Sequence, residues 1–359
     1  MKERVLIDLE RKRYPYSGLG YYCRCLEEGL CSCPEKLPHL AFYNGEPWSG
    51  KKIHSFSPLH KILNLAPRNY KVLHLTHQGQ RYFRQCFGEK RIVTLHDLNF
   101  VYENLIPRRY NRWLRNARRN LNRADVIVCI SHFVKQSLMD NLHLFQLKSD
   151  VRIEVIYNGI HLEQGESSPF VAGHNLTNVP YLLCIGVLEE KKNQEALLKM
   201  LTHLPEAYHL VLVYSSGRAD YIARVQSLVD RLRLRDRVHF FSNIERSQKT
   251  DLLNHCRALV HPSTAEGFGI PPVEAMSCGK PVFLSTHTSL PEVGGPHAFY
   301  FPHDFDPQGM ADALLQGLQA YDTDPSYPER LCEWAQRYDY RRMSEEYYRL
   351  YEEVLKSAE

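Results

Sequence analysis

The sequence predicts an α/β protein made of two Rossmann-like domains, each a doubly wound parallel sheet, facing a central cleft. Three observations support this. The chain has 359 residues, and domains typically run to ~100–200. Short, almost continuously apolar runs recur along it, as in strands covered on both faces by helices. Those runs alternate with helix-period stretches nearly from end to end, the pattern of repeated βα units.

In chain order, the first half reads as strands at Val5–Leu9, Lys71–Leu75, Ile92–Leu95, Val126–Ile130 and Val151–Ile156. Helices are expected at Leu19–Leu30, Arg108–Asn122 and His132–Asn141. The second half repeats the theme with strands at Tyr181–Ile185, His209–Val213, Val238–Phe241, Ala258–His261 and Val282–Leu284. Its helices are expected at Asn193–Leu201, Tyr221–Leu232, Gln248–Asn254, Pro271–Cys278 and Gln308–Leu318. The stretch Gly159–Pro180 is rich in Gly, Ser, Asn and Pro and reads as the linker. Domains are therefore expected at 1–170 and 171–339, with a charged amphipathic helix at 340–359 packing back onto the first.

Composition narrows the class. The chain is 43% hydrophobic and 24% charged, a globular profile rather than a disordered or fibrous one. Its start runs from Met1-Lys2-Glu3-Arg4 into a short apolar run without a signal-peptide core. The longest uncharged stretch, Ser167–Leu188, contains Pro, Asn, His and Gly and does not suit a spanning helix. A cytoplasmic protein is expected, with its ten cysteines reduced. Cys23, Cys25, Cys31 and Cys33 invite a metal reading, but structural zinc pairs prefer two to four intervening residues. No metal site is expected. Net charge is +4, unevenly placed: 26 Lys and Arg against 16 Asp and Glu in residues 1–170, then 19 against 25. The basic half should meet an anionic partner.

Most of the chemistry gathers in His261–Ser285, HPSTAEGFGIPPVEAMSCGKPVFLS. An apolar strand enters a loop carrying Glu266-Gly267-Phe268-Gly269, and Pro271-Pro272 opens a helix, where the missing N–H groups lose nothing. Glycines before a helix N-terminus let backbone N–H groups approach an anion. Glu266 falls in the loop and Glu274 one turn into the helix.

This segment, with Ala275-Met276 and Gly279-x-Pro281-Val282 after it, resembles the donor-site signature of glycosyltransferase family 4. Other segments match in order along almost the whole chain. Tyr16-Ser17-Gly18-Leu19-Gly20-Tyr21 is similar to the family's glycine-rich first loop. Thr94-Leu95-His96-Asp97 resembles its His-Asp turn, and Cys129-Ile130-Ser131-His132-Phe133 a strand end. Ile156-Tyr157-Asn158-Gly159-Ile160 resembles the close of the first domain, and Gly186-x-Leu188-Glu189-x-Lys191-Lys192-Asn193 the diphosphate turn. Ser289-Leu290-Pro291-Glu292-Val293-Gly294 and the terminal helices complete the match.

The resemblance implies a retaining hexosyltransferase of the GT-B fold. It implies an acceptor-binding first domain, a nucleotide-sugar-binding second domain, a GDP- or UDP-sugar donor and no catalytic metal. Catalytic residues are then expected at Glu266, Lys192 and His96. Departure of a nucleoside diphosphate develops negative charge on phosphate, which preorganised cations and N–H groups stabilise. Lys192, with Lys191, is the expected cation. Gly18, Gly20, Gly267, Phe268, Gly269 and Ile270 would line the donor through their backbones. Glu274 would accept from two ribose hydroxyls, and Ser242 and Ile244 would border the base. His96 would touch sugar or acceptor, with Asp97 beside it. Two positions depart from the pattern: Val187 replaces a usual Arg in the diphosphate turn, and His161 a usual Asp.

The acceptor side rests on Arg108–Arg123, which carries seven arginines, among them Arg108, Arg109, Arg112 and Arg115. Tyr110, Trp113, Leu114, Ala117 and Leu121 lie on another helical face, so the basic side is either simply solvated or faces anionic headgroups. The expected acceptor is a glycan or lipid-linked sugar of polysaccharide or lipopolysaccharide type, reached from the inner membrane face. Mannose is the favoured hexose. The alternative is a noncatalytic or differently specialised GT-B protein, such as a sugar-nucleotide-binding module or an epimerase. Nucleic-acid binding lacks its signatures, and Ser17-Gly18-Leu19-Gly20-Tyr21-Tyr22 is not a dinucleotide fingerprint.

Overall fold

The computed structural model describes residues 4–32, 39–47, 50–61, 70–82, 90–103, 105–162 and 168–358. The chain divides into two compact units, residues 1–159 with 338–359, and residues 160–337. Each is a parallel α/β sheet, as the alternating runs predict.

The first unit holds β1 (Val5–Asp8), β2 (Leu40–Tyr43), β3 (Lys52–His54), β4 (Val72–Leu75), β5 (Lys90–Leu95), β6 (Val126–Cys129) and β7 (Arg152–Val155). Their order is β3-β2-β1-β4-β5-β6-β7, so the order reverses between β1 and β4. Its helices are α1 (Gly18–Cys31), α2 (Asn99–Tyr102), α3 (Pro107–Leu121), α4 (His132–Asp140) and, from the end of the chain, α13 (Tyr340–Ser357). β2 and β3 are not among the strands expected from the sequence; β2 is as short and apolar as β4, while β3 is a partly exposed edge strand of mixed polarity. β1, β2, β4 and β6 are buried throughout.

The second unit opens with α5 (Phe170–Gly173), inside the stretch read as linker; its Val171 is buried and donates its N–H to Asp251 Oδ2 at 2.7 Å. Residues 163–167 of that stretch lie outside the described residues. The sheet follows in the order β10-β9-β8-β11-β12-β13. The strands are β8 (Tyr181–Ile185), β9 (His209–Tyr214), β10 (Val238–Ser242), β11 (Ala258–His261), β12 (Val282–Leu284) and β13 (Phe299–Tyr300). Helices α6 (Gln194–Leu201), α7 (Ala219–Arg231), α8 (Arg246–His255), α9 (Ile270–Ser277), α10 (Leu290–Gly294), α11 (Pro307–Thr323) and α12 (Tyr327–Ala335) complete it. All described strand pairs run parallel in register, so the loops after the strands gather at one edge of each sheet.

α13 is built into the first core rather than laid on it. Met343, Tyr347, Tyr348, Tyr351 and Val354 are buried with Leu26 and Leu30 of α1. Three tyrosines bring hydroxyls into this apolar layer, and burial without a partner would be costly. The Tyr347 hydroxyl lies 2.7 Å from that of Tyr22 and 2.9 Å from Thr94 Oγ1. His74 bridges Thr94 Oγ1 at 2.8 Å and the Tyr351 hydroxyl at 2.6 Å. Tyr348 donates to the Leu30 carbonyl. Every member is satisfied, which makes the network specific rather than merely tolerated.

Tyr347→Phe should remove two hydrogen bonds while leaving Tyr22 and Thr94 bonded to each other at 3.2 Å, costing on the order of 1–3 kcal/mol of stability. Urea unfolding of the pure variant against wild type checks this; an unchanged midpoint would show the network to be dispensable.

Candidate functional site

In the second unit the site grows from the loops after β8, β11 and β12. β8 ends at Ile185, and a 3-10 turn, Glu190–Lys192, precedes α6. The Gln194 amide donates to the Val187 carbonyl at 2.9 Å, fixing the turn where the usual Arg is Val187. An added Cβ at Gly186 would lie 3.7 Å from Lys192 Cε, in ordinary contact with the lysine stem. The loop after β11 is stitched to the same turn. Thr264 donates its N–H to the Lys191 carbonyl at 2.7 Å, and Ser263 Oγ donates to it at 3.0 Å. The Lys191 ammonium lies 3.6 Å from Glu189.

These loops bring Lys192 and Glu266 into a direct ion pair, with both side chains about 15% exposed or less. His261, the last residue of β11 and 2% exposed, places Nε2 2.6 Å from the same Glu266 Oε1. Its Nδ1 is buried without a hydrogen-bond partner. Burial pushes the Glu266 carboxyl up, but the Lys192 charge and the His261 hydrogen bond outweigh it and hold the carboxyl well below the usual range. Glu266 is thus a fixed anion beside a fixed cation. Its backbone is held as well. Its N–H donates to Thr288 Oγ1 at 3.0 Å, while Ser289 Oγ donates to the carbonyls of Glu266 and Phe268.

Gly267 is half-buried, and Phe268 is buried, anchoring the loop. Gly269 caps α9 at φ 111°, where a Cβ would stand 2.8 Å from Leu290 Cδ2, so only glycine suits this turn. Ile270 then starts α9 with two prolines in its first turn. Glu274 is buried in α9, and its Oε1 lies 2.6 Å from Lys249 Nζ of α8. Ser242 ends β10 exposed, and Ile244 follows half-buried just before α8. Lys192, Lys191, Glu266 and the glycine loop therefore converge, while Glu274 is held by a lysine of its own.

In the first unit Gly18 opens α1, and Ser17 caps it by accepting the Gly20 N–H at 3.0 Å. That N–H serves the cap. Gly20 is required by packing, since an added Cβ would fall 2.2 Å from the Tyr14 carbonyl oxygen. His96 follows β5, buried, with Nε2 2.9 Å from the Thr76 carbonyl, to which it donates. Its N–H donates to Gln78 Oε1 at 3.2 Å, and Tyr22 meets its ring edge-on at 4.8 Å. Burial, with the Arg11 charge, pushes the imidazole down to about 4 despite the Thr76 bond. His96 is therefore a neutral imidazole, as are buried His77 beside it and His74, pushed down to about 3. Asp97 accepts the Asn99 N–H at 3.0 Å, capping the following turn. Buried Asp8, at the end of β1, is pushed up to about 7 by burial.

On α3, Leu114, Ala117 and Leu121 face the core, and Arg108, Arg109, Arg112 and Arg115 are exposed without ion pairs to other described residues. Arg118 and Arg119 instead donate to the Leu144 and Gln80 carbonyls. Ile106 and Tyr102, before α3, are also exposed, at 69% and 62%. Among the described residues no helix is long and apolar enough to cross a membrane, and no His/Cys/Asp/Glu group is placed to hold a metal. Cys33 lies outside the described residues. His261, Thr288, Ser289 and Lys249 went unassigned in the sequence reading; His261 begins the quoted segment, but its partner is chosen only by folding.

A family model described as glycosyl transferases group 1 matches residues 170–335, and one described as glycosyltransferase family 4 matches residues 32–164. The O-antigen chain mannosyltransferase RfbU of Salmonella typhimurium is 29% identical over 255 residues, 70% of this chain and 67% of that protein. O-antigen chain mannosyltransferase B of Escherichia coli is 26% identical over 353 residues, 88% of this chain and 91% of that protein. Among solved structures, Anabaena HepE in complex with UDP and glucose aligns with TM-score 0.77 at 19% identity, covering 99% of this chain and all of that one. The fold is GT-B.

The three neutral histidines make acid stability testable. Unfolded, they take up protons near pH 6.5; folded, His96 does so only near 4 and His74 near 3. Stability present at neutral pH should fall as pH drops from about 6.5 toward 4, by up to ~1.4 kcal/mol per pH unit for each imidazole. Asp8 opposes with one proton, since it binds one more readily when folded, up to about pH 7. The net slope should flatten in His96→Asn, read from urea unfolding at pH 7.0, 6.0 and 5.0; the same slope in both proteins would contradict a neutral His96.

Proposed function

We propose that this chain, which belongs to glycosyltransferase family 4, moves a mannosyl residue with retention of configuration from a nucleoside-diphosphate sugar to a glycan or lipid-linked acceptor. The observation that carries the chemistry is the buried Lys192–Glu266–His261 cluster at the ends of parallel strands, where α/β sheets bind ligands. The mannosyl reading and a place in O-antigen or related polysaccharide synthesis are supported by RfbU and mannosyltransferase B, both mannosyltransferases by name. A nucleoside-diphosphate donor, GDP- or UDP-linked, is in keeping with the nucleoside diphosphate UDP carried by HepE.

In this mechanism the bond from the anomeric carbon to the phosphate oxygen breaks as the acceptor oxygen approaches from the same face. Negative charge grows on the diphosphate, and Lys192 supplies fixed positive charge with no reorganisation at that moment. Glu266, ionised, faces the positive charge developing on the sugar or accepts from its hydroxyls. The acceptor proton passes to the departing phosphate oxygen, so no separate base is needed. Neutral His96 can accept or donate to a sugar hydroxyl, and Glu274 accepts from the ribose. The Gly267–Ile270 backbone lines the donor. The exposed arginines of α3, with Ile106 and Tyr102, form a surface suited to anionic headgroups, each well-placed arginine being worth ~1 kcal/mol.

A donor screen for nucleotide release should give activity with GDP-mannose above GDP-fucose, UDP-glucose and UDP-N-acetylglucosamine. No turnover of GDP-mannose would remove the mannosyl reading. Lys192→Ala and Glu266→Ala should lower kcat by roughly 10²–10³, whereas Glu274→Ala should chiefly raise the donor KM. Wild-type turnover by Lys192→Ala would end the leaving-group role.

Co-sedimentation at low salt should favour vesicles containing phosphatidylglycerol over neutral ones. The quadruple Arg108/Arg109/Arg112/Arg115→Gln variant should lose that preference; equal binding of wild type to both vesicles would dismiss the membrane surface.

A further inference from the structure

The two glutamates of the donor segment are each matched by a lysine from another element. Lys192 holds Glu266, and Lys249 holds Glu274. The second pairing was not expected from the sequence. Glu274 sits in the second turn of α9 with its side chain 9% exposed, and Lys249 Nζ lies 2.6 Å from Oε1.

Lys249 occupies an awkward place on its own helix. It is the fourth residue of α8, where the aligned peptide dipoles present positive potential and a cation is disfavoured. Helical side chains lean toward the N-terminus, so its ammonium is carried toward the start of α8. That start is held by a reciprocal capping box. The Gln248 N–H donates to the Glu245 carboxylate, and the Glu245 N–H donates to Gln248 Oε1 at 2.8 Å. Ser242–Ile244, the loop before it, borders the base in the proposed reading. A locally unfavourable lysine on an anchored helix end, paired with a buried carboxylate, is a conflict of the kind that marks functional sites.

We propose that Lys249 is a positioning residue that aims the Glu274 carboxylate at the two vicinal hydroxyls of a ribonucleoside diphosphate. This rests on the reading of Glu274 as the ribose ligand. A carboxylate accepts from both hydroxyls of a cis-diol only when it is ionised and its plane is fixed. The lysine supplies the countercharge to the buried oxyanion and pins one oxygen. Specificity for ribose over 2′-deoxyribose then depends on Lys249, although the lysine itself need not touch the sugar.

The test measures calorimetric affinities of GDP, 2′-deoxy-GDP, UDP and 2′-deoxy-UDP for the full chain. Wild type should bind its preferred ribonucleotide at least tenfold tighter than the 2′-deoxy form. Lys249→Met keeps length and helix propensity but removes the charge, and should cut that ratio below about threefold. Lys249→Arg should restore it. Affinity for inorganic pyrophosphate, which has no ribose, should be the same in all three. If wild type shows no ribose preference, the Glu274 reading falls and the inference with it. If wild type keeps a tenfold ratio and Lys249→Met keeps it too, Glu274 stands and the Lys249 role is overturned. A loss of ribo- and deoxy-affinity in equal proportion, together with weakened pyrophosphate binding, would assign Lys249 to the phosphates and likewise overturn it.

Discussion

A carboxylate kept charged away from water is the constraint around which the second unit is organised. Burial alone would neutralise Glu266; Lys192 and His261 reverse that. Such a pair adds little net stability, because desolvation consumes most of the Coulomb gain, yet losing one partner typically costs ~3–5 kcal/mol. The surrounding loops make sense as its supports. Ser263 and Thr264 tie down the Lys191 carbonyl, and Thr288 and Ser289 hold the backbone at Glu266. Three βα loops are thus fastened to one another at the point where the charges meet.

The histidine turns of the first unit follow the opposite rule. At the ends of β4 and β5 the unit buries His77 and His96, with His74 beneath them, all neutral. The layer below is a closed web of Tyr22, Thr94, His74, Tyr347 and Tyr351, two of the five supplied by the last helix. Tyr22 belongs to both layers, since its ring meets His96 and its hydroxyl meets Tyr347. The end of the chain therefore helps to orient the histidine turn. The second unit thus gathers a charged cluster and the first a set of neutral imidazoles.

Much of this was legible in the amino-acid order. The apolar runs at Val72–Leu75, Val126–Cys129, Tyr181–Ile185 and Ala258–His261 read as strands because burial on both faces leaves no polar positions. Leu40–Tyr43 and Lys52–His54 were not read as strands: the first is as apolar as those, but Asn44–Lys51 after it carries no helix-period stretch to frame a βα unit, and the second is a partly exposed edge strand. Lys192 and Glu266 were each identifiable within a motif, but their contact across 74 positions, and the part of His261 in it, exist only in the fold. Gly20 was assigned to the donor for its missing side chain, whereas its immediate physical reason is the Tyr14 carbonyl. Lys249 had no local signature, because its partner lies on another helix and its own position argues against a cation.

The most direct test of the charged cluster is carboxyl NMR of Glu266 in protein labelled with ¹³C at the glutamate side chains, followed from pH 7 to 4.5 with and without a bound nucleoside diphosphate. The account predicts that Glu266 stays fully ionised through this range in the free protein. It also predicts that its carboxyl begins to titrate within the range once the diphosphate draws Lys192 toward itself. An ordinary titration near ~4.3 in the free protein, unmoved by ligand, would contradict it.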